Sequence, residues 1–336
     1  MRYGMGRLAL GFVAAIACAV VAGAAHATDH VSFRLDWKLT GYHVPFYWAK
    51  AKGYFAAEGL DVDIKEGAGS GQTINLVGGQ QDDIGFADYL LMAAAASKGM
   101  GVKAIFGVVQ DGAWAVISHA DKPIRTPQEL VGRSVASTAD HKALLDLFMA
   151  VNKIPAQSVS VRVTSPATRN TVFAEGQVDG MVSITIGSPM DLVVRANQGK
   201  GKPLYFMPFE KFGVAPEGEG LIASDAFIAQ KPDVIRRFLR AAARAFAETV
   251  DPANLTQAID IAVKDSGASA ERYESVKLQW MDTIKHLHTA NTKDKPFGWM
   301  SEKDWAATLD ILRETGRLEK AVPASQFYTN AFIAQR

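Results

Sequence analysis

Between Trp37 and His43 the chain crowds Trp37, Thr40, Tyr42 and His43 into one short stretch just ahead of Pro45. Residues of these types suit noncovalent capture: flat aromatic faces hold a planar or cationic ligand, and polar tips set its orientation. Other groups of suitable type lie further along. Gly69-Ser70-Gly71 opens a helix, where unpaired N–H groups and the dipole favour an anionic or electron-rich group, although glycine and serine also make ordinary caps. Asp88 follows a short strand and either accepts a hydrogen bond from a ligand amine or caps the next helix. Ser137 and Thr138 stand at another strand end, with Asp140 read as the N-cap of a helix from His141. Ser183, Thr185 and Ser188, in MVSITIGSP, offer hydroxyls to a ligand or to strand-end turns. Tyr47 and Trp48 are read as core, His141 as a surface helix residue, and Arg169 as decoration on a helix's first turn.

Catalytic chemistry has little support. The one cysteine, Cys18, lies in the N-terminal apolar run. No G-x-S-x-G elbow or G-x-x-x-x-G-K-[ST] phosphate loop occurs. His286 and His288, two apart on an expected helix, do not share a face and make a poor metal pair. Glu217 and Glu219 are no better spaced for acid–base work. No catalytic residue, metal site or cofactor is expected.

Alternating elements must position these groups. Val31, Phe33 and Leu35 alternate with polar residues as in a strand, and a helix is expected from Pro45 to Gly59. Asp61–Ile64 begins a second strand, so the aromatic cluster sits at a strand-to-helix loop, where open α/β sheets bind ligands. A helix through Val77, a strand at Ile84–Ala87, an alanine-rich helix to Lys98 and an apolar strand at Val102–Val109 follow. A second block has expected strands at Trp114–Ser118, Ser134–Ser137, Val159–Val163, Gly180–Ile184 and Pro203–Met207, with helices after Asp140, Thr168 and Pro189. Gly213–Gly220 interrupts this pattern, and the chain beyond it reads as mainly helical. The expected architecture is α/β: two lobes around a ligand cleft, the first from 28–112 plus 217–336, the second from 113–216, with a helical C-terminal part.

The N-terminus reads as an export signal cleaved after Ala27: Arg2 and Arg7 precede an apolar run from Leu8 to Val21, and Ala25-His26-Ala27 is a small-x-small site. The run falls short of the roughly 20 residues of a membrane-spanning helix, and Cys18 lies in at best a degenerate lipid-attachment box. Removing the signal leaves 309 residues without cysteine, so an exported chain of this size must rely on core packing. Losing Arg2 and Arg7 from 36 basic residues leaves a net charge of −1 against 35 acidic ones. With no basic run or interleaved aromatics, nucleic acid is not an expected partner.

The segments DW-x5-H-x-PFYWAKAKGYFAAEGLDV, GSGQTINLVGGQQDDIGFAD, RTPQELVGRSVA, FAEGQVDGMV, KPDVIRRFLRA and YTNAF occur in that order over nearly the whole mature chain. Together they resemble the periplasmic substrate-binding proteins of ABC importers, in the subgroup with nitrate, sulfonate, taurine and thiamine-pyrimidine binders. That resemblance implies a type II periplasmic binding protein fold closing over one small ligand, a periplasmic monomer, and an inner-membrane permease as partner. It carries Trp37 and His43 over as pocket residues and leaves Gly69 to Gly71, Ser137, Thr138 and Ser183 as contacts by position. The first segment is also similar to the yeast-type thiamine-pyrimidine synthase, whose lysine and histidine positions read here as Ala87 and Leu91 and whose cysteine cluster is missing. An enzyme of that type, or a ligand-sensing partner of a membrane signalling protein, is the alternative.

Overall fold

The computed structural model describes residues 28–318 and 322–334. The expected export signal, with Cys18 and the cleavage site at Ala27, lies outside the described residues.

The chain begins on one sheet with β1 (Asp29–Arg34), β2 (Leu60–Lys65), β3 (Ile84–Asp88) and β4 (Val102–Val109). It crosses to a second for β5 (Trp114–His119), β6 (Ser134–Ser137), β7 (Ser160–Val163), β8 (Gly180–Ile184) and β9 (Leu204–Pro208), then returns with β10 (Glu219–Ser224). The strand orders are β2-β1-β3-β10-β4 and β7-β6-β8-β5-β9. Strand β1 runs parallel to β2 and β3, with Phe33 opposite Ile64 and Ile84. In both sheets a strand added after a crossing runs antiparallel: β10 between β3 and β4, and β5 between β8 and β9. The crossing segments lie side by side, with Gly112 N–H donating to Pro216 O at 2.7 Å and Gly218 N–H to Val109 O at 3.0 Å.

The helices are α1 (Val44–Ala51), α2 (Tyr54–Ala57), α3 (Ser70–Gly78), α4 (Tyr89–Ala96), α5 (Ala139–Val151), α6 (Pro166–Ala174) and α7 (Pro189–Asn197). After β10 come α8 (Asp225–Gln230), α9 (Pro232–Thr249), α10 (Leu255–Asp265), α11 (Tyr273–Thr283) and α12 (Glu302–Glu314). The buried stripe of α9, with Val234, Ile235, Phe238, Leu239, Ala242 and Phe246, has the i, i+3/i+4 spacing of a one-faced helix. It packs on the first sheet and on α1: Phe238 meets Phe33 of β1 edge-on with ring centroids 5.4 Å apart, and Phe246 meets Phe46 of α1 at 5.5 Å. The C-terminal helices therefore complete the core of the first lobe.

Local departures from the sequence reading have identifiable causes. The single helix expected from Pro45 to Gly59 divides into α1 and α2 at Gly53, whose φ of 72° is a left-handed conformation that glycine adopts readily. The N-cap of α5 is Thr138, whose hydroxyl accepts from His141 N–H at 3.3 Å, so Asp140 lies inside the helix. Helix α6 starts at Pro166 under a Ser165 cap, earlier than expected, which carries Arg169 into its body. The segment from Glu219 is a fully buried central strand, in place of the expected run into helix.

Candidate functional site

A cavity of about 140 Å³ takes its walls from both sheets. The first lobe contributes the loop after β1, the N-terminal ends of α3 and α4, and Glu219 at the start of β10. The second contributes Trp114 of β5, the end of β8, and the N-terminal ends of α5, α6 and α7.

On the first lobe the loop after β1 folds back on itself through His43. The imidazole is fully buried; its Nδ1 accepts from Thr40 N–H at 3.1 Å, which leaves the proton on Nε2 to donate to Asp36 Oδ1 at 2.8 Å. The other oxygen of Asp36 accepts from the Tyr42 hydroxyl at 3.1 Å, and the Tyr42 ring stacks on Phe86 with centroids 5.0 Å apart. Asp36 is thus held in the cavity wall by two side chains of its own loop. Asp88 caps α4, accepting from Leu91 N–H at 2.7 Å, while its own N–H donates to Ser70 Oγ at 3.1 Å.

Antiparallel pairing of β10 with β3 places Glu219 opposite Asp88. Glu219 is 6% exposed, and its Oε2 has no hydrogen-bond partner among the described residues. Burial, and then the charges of Asp36 and Asp88, push its carboxyl well above the usual carboxylate range. Burial also raises the Tyr42 phenol, with the Asp36 charge adding to it. Three carboxyl groups, of Asp36, Asp88 and Glu219, therefore share one wall.

The second lobe presents the opposite sign. Arg169 is 3% exposed, and its guanidinium donates to His141 Nδ1 at 3.1 Å, Ser188 Oγ at 3.0 Å and Asn170 Oδ1 at 3.2 Å. These partners are uncharged: burial first, then the Arg169 charge, push His141 down to about 3 against a backbone hydrogen bond with Val182. Burial lowers Arg169 itself only to about 10, so it is a cation at neutral pH. Trp114 meets His141 edge-on, centroids 4.5 Å apart.

Of the residues singled out in the sequence, Trp37, Gly69, Ser70, Asp88, Thr138 and Ser183 line this one cavity. His43 does not; both ring nitrogens are bonded inside the loop, and it acts on the wall through Asp36. Gly71 is exposed on the first turn of α3. Ser137 is buried and not part of the lining, donating to Thr138 O at 3.1 Å. Thr185 lines a separate hollow with Met190, Phe206 and His286. The sequence reading underrated His141 and Arg169, which belong to the cavity wall, and gave no role to Asp36, Trp114 or Glu219 there. Asp36 carried one usable signal, its place beside Trp37 at the strand end.

Ala87 is buried in β3 and Leu91 lines the cavity, so neither synthase position offers an amine or an imidazole. Among the described residues no group of three or more His, Cys, Asp or Glu side chains is placed to hold a metal ion, and no helix is long and apolar enough to cross a membrane.

Comparison with known proteins places this geometry. The chain is 23% identical over 303 residues to the riboflavin-binding protein RibY of Chloroflexus aurantiacus, covering 86% of this chain and 82% of that protein. It is 26% identical over 227 residues to the 4-amino-5-hydroxymethyl-2-methylpyrimidine phosphate synthase THI13 of Saccharomyces cerevisiae, covering 65% of this chain and 66% of the enzyme. Its fold matches the alkanesulfonate-binding protein SsuA of Xanthomonas axonopodis with a TM-score of 0.64 at 15% identity, over 90% of this chain and 98% of that one. The fold is that of the periplasmic binding proteins. The family model described as NMT1/THI5 like matches residues 40–255, and the chain belongs to that family.

Proposed function

We propose that this chain is the extracytoplasmic solute-binding component of an ABC importer: a periplasmic monomer, cleaved after Ala27, that holds one small ligand between lobes 28–112 plus 217–336 and 113–216 and presents it to a membrane permease. One observation carries the reading: a single cavity receives aromatic and polar walls from both lobes, the arrangement that lets a ligand bridge and hold two domains. None of the described residues lining the cavity is a cysteine, and the two synthase positions are Ala87 and Leu91.

Size and charge narrow the ligand. A cavity of about 140 Å³ compares with the ~150 Å³ that accommodates benzene, which points to one six-membered ring. Asp36, Asp88 and Glu219 favour an edge rich in N–H donors on one wall while Arg169 faces the cavity as a cation, so a bare nitrate or alkanesulfonate satisfies only one wall. A pyrimidine-like ring, stacked on Trp37 and hydrogen-bonded through Asp36 and Asp88, fits these walls. Thermal-shift screening against pyrimidines, aromatic acids, sulfonates and nitrate tests the reading, since selective binding to the folded state raises its melting temperature. A stabilising single-ring heteroaromatic is expected; a folded protein with no hit at millimolar ligand would overturn the proposal.

The similarity to pyrimidine phosphate synthases favours a second reading, an enzyme of that type. Ala87 and Leu91 argue against it. Incubation with pyridoxal phosphate is expected to give no stoichiometric imine absorbance, and a stable imine band would restore the enzyme reading.

A further inference from the structure

We propose that the cleft selects an amphoteric ligand: one flat ring carrying an N–H-rich or cationic edge toward Asp36, Asp88 and Glu219 and a carboxylate toward Arg169. This deepens the solute-binding reading and rests on it.

The two lobes supply opposite halves of such a ligand's partners. Arg169 is almost fully buried, yet its hydrogen bonds go to His141, Ser188 and Asn170, and no carboxylate pairs with it among the described residues. A desolvated cation of this kind is costly unless an anion meets it. The N-terminal ends of α5, α6 and α7 reach the same wall at Thr138, Pro166 and Ser188, and their dipoles favour negative charge. Ser183, 1% exposed, adds a hydroxyl to that wall. Across the cavity Glu219 Oε2 is the matching orphan, beside Asp36 and Asp88. Each wall thus holds a polar group awaiting a partner, and the two require opposite chemistry.

Selectivity follows from what an incomplete ligand leaves behind. An amine without an acid satisfies the carboxyl wall and leaves Arg169 unpaired; an acid without an amine does the reverse. Rejection through unmet buried partners is stronger than rejection by apolar shape alone.

Isothermal titration calorimetry with three probes tests the proposal: 4-amino-2-methylpyrimidine-5-carboxylate, 4-amino-2-methylpyrimidine and pyrimidine-5-carboxylate. The first is expected to bind at least about tenfold more tightly than either of the others. Arg169→Gln should abolish its advantage over the amine, and Arg169→Lys should recover part of it. Melting curves confirm that each variant is folded; if Arg169→Gln is not, the wild-type series and Arg169→Lys decide. Equal binding of the amine-only or acid-only probe overturns the amphoteric inference and leaves the solute-binding reading intact. Binding by none of the three also overturns it, and the solute-binding reading falls with it only if the wider thermal-shift screen is blank.

Discussion

His43 governs the cavity without lining it. Replacing it with phenylalanine keeps the ring volume but strips Thr40 N–H and Asp36 Oδ1 of their partners, so urea unfolding should show a loss of about 1–3 kcal/mol. Ligand affinity should fall too, with His43→Gln recovering part of both; unchanged stability in His43→Phe would contradict the role. Glu217 permits a test by pH. It is 1% exposed, neither carboxylate oxygen has a partner among the described residues, and burial, with Asp304 and Asp111 adding to it, pushes it well above the usual range. The folded chain therefore keeps a proton that the unfolded chain sheds near pH 4.3. Its contribution is fully present below that pH and is lost as pH rises toward the folded value. Glu217→Gln should become progressively more stable than wild type in melting experiments from pH 5 to pH 8, and a constant offset would contradict this. Trp37 was legible as a cavity-lining residue because rings and hydroxyls crowd a strand end. Arg169 was not: a Thr-Arg-Asn run looks the same on an exposed helix, and only the seating of α6 against the cavity buries it.

Strand β10 is the element on which the carboxyl wall depends. It lies antiparallel between β3 and β4, bringing Glu219 opposite Asp88 after more than a hundred intervening residues. Gly220 makes that insertion possible: a Cβ there would come within 2.2 Å of the Tyr89 hydroxyl and 2.3 Å of Phe106 O. The missing side chain lets Tyr89 donate to Phe106 O at 2.6 Å across the strand. Gly220→Ala should destabilise by about 1–3 kcal/mol or more, read from urea midpoints, and should weaken ligand binding by shifting Glu219; full stability and affinity would show that the strand tolerates displacement. Period-2 and period-3.6 patterns revealed most other elements because they are local. β10 escaped notice because its six residues begin with Glu-Gly and run straight into the Ser224 cap of α8, leaving little alternation to read. Its partners lie far away in sequence, and no local pattern announces a strand inserted between two others.

At the scale of the molecule the lobes meet through α11. Buried Gln279 accepts from Gly41 N–H at 3.0 Å and donates to Gly187 O at 2.9 Å, joining the loop after β1 to the cavity edge at α7. Arg272 adds an ion pair to Asp191 at 2.8 Å and a hydrogen bond to Leu39 O at 3.1 Å. Gln279→Ala should loosen this link between the lobes, reducing ligand affinity by about three- to tenfold and increasing the radius of gyration in small-angle scattering. Unchanged values in both would remove Gln279 from that link. The two-lobed α/β architecture was legible in the alternation of elements and the interruption near Gly213, whereas the charges facing across the cleft arise only when distant strand ends converge. The most direct measurement is a crystal structure with the best-stabilising ligand from the thermal-shift screen. One molecule should lie between the lobes, in contact with Trp37 and hydrogen-bonded to at least one of Asp36, Asp88 and Glu219. A ligand bound elsewhere, with this cavity bare, would contradict the assignment.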